Sequence, residues 1–220
     1  MIKAILKKEY IEDIKNDDRI ITAIQLMRIL KTIRYNQLLL LKSVEEEETG
    51  ANIKFFILWN LAAALFEGIK TFYKLKKQFM NLKYYKKDYE KIDDILKEFG
   101  EQNSFTNSVL KVIRDKLAFH FDREVILEVI KEFTVYSIET TGEVVLFSGK
   151  TTAIKDLEYN IADNMDYNYI ISLIETGDED DFEKMKKIMK DVLSLTKKFF
   201  EILENSISEL LEDIAEKVED

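Results

Sequence analysis

Apolar residues recur at helical spacing along most of this chain. Between Asp18 and Val44, residues Ile20, Ile24, Met27, Leu30, Ile33 and Leu38 fall close to a 3.6-residue period, which predicts one face of a long helix. Asn16, Asp17 and Asp18 supply caps at its start. A shorter helix is expected before it, from about Lys3 to Ile14. The stretch "EEEETG" ends the long helix, and the next is expected from about Ala51 to Tyr84. Its segment around Trp59 is apolar almost all the way round, as a central helix must be. The apolar tract Phe55–Ile69 is shorter than the roughly 20 residues of a membrane span and carries Asn60 and Glu67, so it reads as a buried helix.

"DYEKIDDILKEFG" predicts a short amphipathic helix stopped by Gly100. "NSFTNS" then caps a helix from about Ser104 to Phe121, and Asp122 caps another over "REVILEVIKEF". The pattern changes at Thr134. Residues 134–155 are rich in β-branched and aromatic types, with Gly142 and Gly149 as punctuation, and predict a small β-hairpin or irregular excursion. "LEYNIADNMDYNYIISLIE" returns to helix. The last helix, from about Asp181 to Lys217, has Met185, Ile188, Met189, Val192, Phe199 and Leu203 on one face. With no proline and six glycines, the chain suits long helices. The expected fold is a single mainly α domain over 1–220, an up-and-down helical bundle with one non-helical insertion.

Composition narrows the chemistry. The net charge of −9 argues against general coating of nucleic acid, because attraction to phosphate needs a positive field, yet it leaves room for a small positive site. The absence of cysteine excludes disulfides and cysteine-based zinc sites, and a single histidine excludes His-rich metal sites within one chain. "DEDD" (Asp178 to Asp181) reads as a helix N-cap cluster rather than a metal site. There is no Gly-rich phosphate loop, no G-x-S-x-G and no HExxH. The N-terminus lacks the apolar core of a secretory signal, so a cytoplasmic location is expected, with no membrane as partner.

Attention falls on "IRDKLAFHFD" (Ile113 to Asp122), which holds the chain's only histidine, His120, and one of its five arginines, Arg114. On a wheel of about 100° per residue, Val109, Ile113 and Leu117 form an apolar stripe, His120 falls inside it and Arg114 lies on its flank. Two readings follow. His120 is either a core histidine with a snorkelling arginine nearby, or a reagent beside a fixed cation.

The string "RDKLAFHFD" resembles the signature of the HEPN superfamily (higher eukaryotes and prokaryotes nucleotide-binding domains). There an arginine, a polar residue and then a histidine lie near the end of a long helix. Arg114, Asp115 and His120 match those places, and "FD" and "EYNIADNMDYNYI" are similar to a bacterial subgroup related to abortive-infection toxins. The resemblance implies a helical bundle that forms a homodimer, with the motif helices of two subunits lining one cleft. It implies a metal-independent endoribonuclease needing no cofactor, a toxin or anti-phage effector, with RNA as substrate and a nucleotidyltransferase-like antitoxin as a possible partner. Some members have lost activity and only bind.

The residue types suit that chemistry. RNA carries a 2′-OH beside its phosphodiester, so internal attack needs no metal. Histidine moves protons near neutral pH, and arginine grips a crowded phosphate bidentately. A histidine at a helix C-terminus is favoured as imidazolium, which suits a general acid. One histidine does not easily serve as both acid and base, so a two-fold dimer is expected to supply the second. Weaker candidates surround the pair. Asp115 is placed to orient a histidine or hold Lys116, or is simply solvated. Glu67 and Asn60 share one face of the third helix, where Arg114 is a candidate partner if that strip is buried. Lys83, Lys86 and Lys87, beside Tyr84 and Tyr85, form with Lys116 a possible track for an RNA strand, or a solvated helix end. The second function class is a noncatalytic helical interaction protein, an inactive relative of the same fold.

Overall fold

The computed structural model describes residues 18–45, 51–79, 89–100, 104–118 and 181–219. They form four α-helices: α1 (Asp18–Glu45), α2 (Ala51–Phe79), α3 (Tyr89–Gly100) and α4 (Asp181–Glu219). Between α3 and α4 lies the motif segment, residues 104–118, a helical stretch with two wide π-helical turns at Thr106–Leu110 and Ile113–Ala118. No strand occurs among the described residues, and the architecture is a mainly α helical bundle. The helices expected over 3–14, 122–133 and 157–175, and the excursion at 134–155, lie outside the described residues.

α2 is the central element. α1, α3, α4 and both π turns pack against it, and α1 also packs on α4. The all-round apolar stretch explains this placement, because every side of the helix must be covered. Trp59, Leu61, Leu65, Ile69 and Phe72 are buried. The Phe55 ring stacks on Trp59 with centroids 6.0 Å apart. Residues Ile53–Lys77 are long and apolar enough to cross a bilayer by length and composition alone, with 56% of that window buried against the rest of the protein.

α4 buries the stripe that its period predicts, from Met185 through Val192 and Phe199 to Leu203, with Met189 left exposed at its margin. α1 does not follow its predicted face. Ile20 and Ile33 are buried and Leu30 is half-buried, but Ile24, Met27 and Leu38 are exposed. The buried face runs instead through Ala23, Leu26, Ile33 and Leu40. The physical reason is that α1 is apolar on two sides, so a 3.6-residue period fits more than one face and does not say which one meets α2.

At Gly68 of α2, side chains of both α1 and α4 press in. A Cβ there would sit 2.8 Å from Ile29 Cγ2, 3.0 Å from Ile33 Cδ1 and 3.1 Å from Phe199 Cε1. Alanine would gain about 1 kcal/mol of helix propensity, but forcing atoms into this contact costs about 1–3 kcal/mol. The expected net result for Gly68→Ala is a loss of about 1 kcal/mol, read as a lower urea midpoint with an unchanged slope. A midpoint above wild type would show that Ile29 yields freely.

Candidate active site

The motif segment is started by Ser104. Its hydroxyl accepts a bond from the Asn107 amide at 3.3 Å, and its carbonyl accepts from the Ser108 amide at 2.8 Å. Ser104 is therefore a side-chain cap at the expected position. Val109, Leu110 and Ile113 then turn into the core against α2 and seat the segment. The wide turn at Ile113–Ala118 departs from 3.6 residues per turn, so a 100° wheel does not hold across it. π-helical turns occur mainly as single irregularities in helices, frequently at functional sites.

Arg114 follows buried Ile113 and reaches α2. Its Nε lies 2.7 Å from Glu67 Oε1, and its Nη1 donates to Asp115 Oδ1. Glu67 Oε1 also accepts from Lys70 Nζ, 3.4 Å away and one turn further along α2. The cluster thus holds two cations and two carboxylates and is formally neutral. Its side chains are 29% (Arg114), 38% (Glu67), 32% (Asp115) and 31% (Lys70) exposed, so the site is neither sealed nor fully solvated.

Arg114 Nε is buried and close to Glu67, yet its N–H is not aligned for a hydrogen bond. The contact is an ion pair without a directed bond. The hydrogen bond that Arg114 donates to Asp115 raises the Arg114 pKa most, partial burial opposes it, and the nearby Glu67 charge raises it again. A raised value on a group already this basic keeps the guanidinium charged throughout the working pH range. Its stabilising contribution is present below its ordinary pKa and is lost only as the pH rises through a still higher one. Arg114 therefore does not change charge near neutrality.

The structure brings together Arg114, Asp115 and Glu67 of the residues singled out in the sequence. It adds Lys70, which was missed; its three-residue spacing from Glu67 on one helix was the available signal. Asn60 is not part of the cluster, since its amide donates to the Phe56 carbonyl at 2.8 Å. The Lys116 side chain, and Lys83, Lys86, Lys87 and His120, lie outside the described residues. No group of His, Cys, Asp or Glu suited to a metal occurs among the described residues. A separate cavity of about 610 Å³ lies between α3 and α4, floored by Ile95, Phe105, Leu195 and Ile202, and contains no member of the Arg114 cluster.

Replacing Glu67 by Gln should leave the fold intact and loosen Arg114. Because the pair is about one third exposed, solvent screening holds the stability cost to about 1 kcal/mol or less. If the chain cleaves RNA and Arg114 must be held in place for it, cleavage should fall by about tenfold. Parallel urea melts and cleavage assays separate the two effects, and wild-type cleavage in Glu67→Gln would remove Glu67 from the site.

Comparison with protein-family models, curated proteins and solved structures finds no match for this chain.

Proposed function

We propose that this chain is a metal-independent endoribonuclease of HEPN type that works as a homodimer, with Arg114 binding the scissile phosphate and His120 moving the proton. The observation that supports it best is the preparation of Arg114. A wide helical turn, an ion pair to the central helix and a bond that Arg114 donates to the adjacent Asp115 hold one permanently charged guanidinium in a part-open position. Together with the spacing to the only histidine, this is what phosphate recognition beside a proton donor requires.

In the proposed reaction the 2′-OH loses its proton to one neutral histidine and attacks phosphorus. The bond from phosphorus to the 5′-oxygen breaks, and the partner subunit's histidine, charged, protonates that oxygen. The products are a 2′,3′-cyclic phosphate and a 5′-OH. Arg114 stabilises the extra negative charge on the phosphate as it forms. A role as a toxin or defence effector in the cytoplasm, restrained by a nucleotidyltransferase-like partner, belongs to the same reading.

One observation favours the noncatalytic alternative. Arg114 already faces two carboxylates, so phosphate must displace Asp115 to be gripped bidentately. A short RNA with a single deoxyribose at the cut site decides between the two. The enzyme reading expects cleavage of the all-ribose strand to cyclic phosphate ends and none of the substituted strand, because the attacking hydroxyl is gone. Binding of both strands with cleavage of neither would support the binder. Light scattering at micromolar concentration should show a dimer, and a monomer throughout would remove the second histidine from the mechanism.

A further inference from the structure

We infer that the outward face of α1 is a docking surface for an acidic amphipathic helix of a partner protein. This proposal is independent of the ribonuclease reading. Of the ten large exposed hydrophobic residues among those described, eight lie on α1. Ile24 is 52% exposed, Leu38 57% and Tyr35 64%, on the side of the helix opposite buried Leu26, Ile33 and Leu40. Water-facing apolar side chains gathered on one helix, rather than scattered singly, mark an interaction site.

The charge on this face selects the partner. From Arg19 to Val44 the sequence holds five cations and no carboxylate, in a chain whose net charge is −9; Arg19 and Lys42 are already engaged, and Arg28 and Lys31 lie on the Ile24 side of the helix. Arg28 and Lys31 are exposed and make no ion pair among the described residues, while Arg34 meets Glu204 of α4 at 3.2 Å. Ile24, Met27, Lys31, Leu38 and Leu41 are separated by three-, four- and seven-residue steps, the seam spacing of one helix laid along another. Lys31 stands in the same column of that seam as Ile24 and Leu38, about 20° on the wheel from each, and Arg34 stands in the other column between Met27 and Leu41. There Lys31 calls for a carboxylate opposite.

The same arrangement argues against other occupants. A second copy paired antiparallel about the middle of α1 would bring Arg28, Lys31 and Arg34 against their equivalents, and like charges in register repel. A bilayer would receive Lys31 in the centre of the inserted face, whereas helices that lie on membranes carry their cations on the polar face. RNA would use the cations but gain nothing from Ile24, Leu38 and Leu41.

The test is selection of binders from a displayed library of helical peptides with randomised seam and flanking positions, using the full chain as bait. Wild type should enrich peptides with Leu or Ile at the seam and Asp or Glu opposite Lys31, and their affinity should fall more than tenfold for Leu38→Asp. The double variant Arg28→Glu with Lys31→Glu should enrich basic peptides instead. Both charged positions are exposed, so this reversal carries the test even if Leu38→Asp loses helicity by circular dichroism. Absence of enriched peptides, enrichment without charge bias, or the same acidic peptides after charge reversal would overturn the proposal. So would a wild-type dimer that Leu38→Asp splits into monomers, which would assign the face to a second copy. Binding to phosphatidylglycerol vesicles that Leu38→Asp abolishes, with no peptide enriched, would assign it to a membrane.

Discussion

Arg114→Lys should cleave RNA about a hundredfold more slowly than wild type while folding as well. Lysine keeps the charge and can still reach a carboxylate, so the electrostatic tie to Glu67 on α2 survives. What it loses is the planar fork, which grips two phosphate oxygens and keeps its direction while one edge is tied to the protein. The removal of one well-placed donor to a developing oxyanion typically costs about 10²–10³ in rate, and the larger part of that should appear in kcat. Arg114→Ala should be slower again, and less stable, because Glu67 would then face only Lys70 across a gap. Wild-type rates in Arg114→Lys would mean that the guanidinium is a strut between the motif segment and α2. The comparison therefore tells catalysis from architecture, which a single alanine variant does not.

Phe199→Ala should lose about 3–5 kcal/mol of stability, the range for emptying a buried aromatic site. Phe199 on α4 has no exposed surface, meets Phe72 of α2 edge-on at 5.6 Å, and lies against the gap that Gly68 leaves open. Three helices converge there, so the cavity cannot be closed by moving one of them. A typical domain has only about 5–15 kcal/mol in total, so the variant should melt far below wild type or fail to fold at body temperature. Its neighbour Phe200 is only half-buried and serves as the control. Phe200→Ala should cost clearly less in the same urea titration, and equal losses would contradict the placement of α4.

Sequence pattern located the helices well where one face alone is apolar. α4 is the clearest case, since its stripe has charged residues on the other side and admits one orientation. The central role of α2 was legible for the opposite reason, because a helix apolar on all sides has nowhere else to go. α1 was misread because its two apolar faces share the same period, and only the packing partner distinguishes them. Within the site, the seven-residue interval from Asn60 to Glu67 put both on one face of α2, but the structure joins only Glu67 to Arg114. Asn60 sits two turns away and bonds its own helix. The π turns were illegible, since no residue in "TNSVL" or "IRDKLA" announces a widened turn, and a regular wheel drawn through them drifts with each residue.

The most direct measurement is incubation of the purified protein with total RNA, with and without EDTA, beside His120→Ala at matched concentration. Wild type should cut in the presence of EDTA and leave 2′,3′-cyclic phosphate ends, with a rate that falls on both sides of neutrality as one histidine charges and its mate discharges. His120→Ala should keep wild-type helicity and not cut. Cleavage by His120→Ala at the wild-type rate would contradict the ribonuclease reading, as would a wild type that never cuts RNA paired with a His120→Ala variant that unfolds.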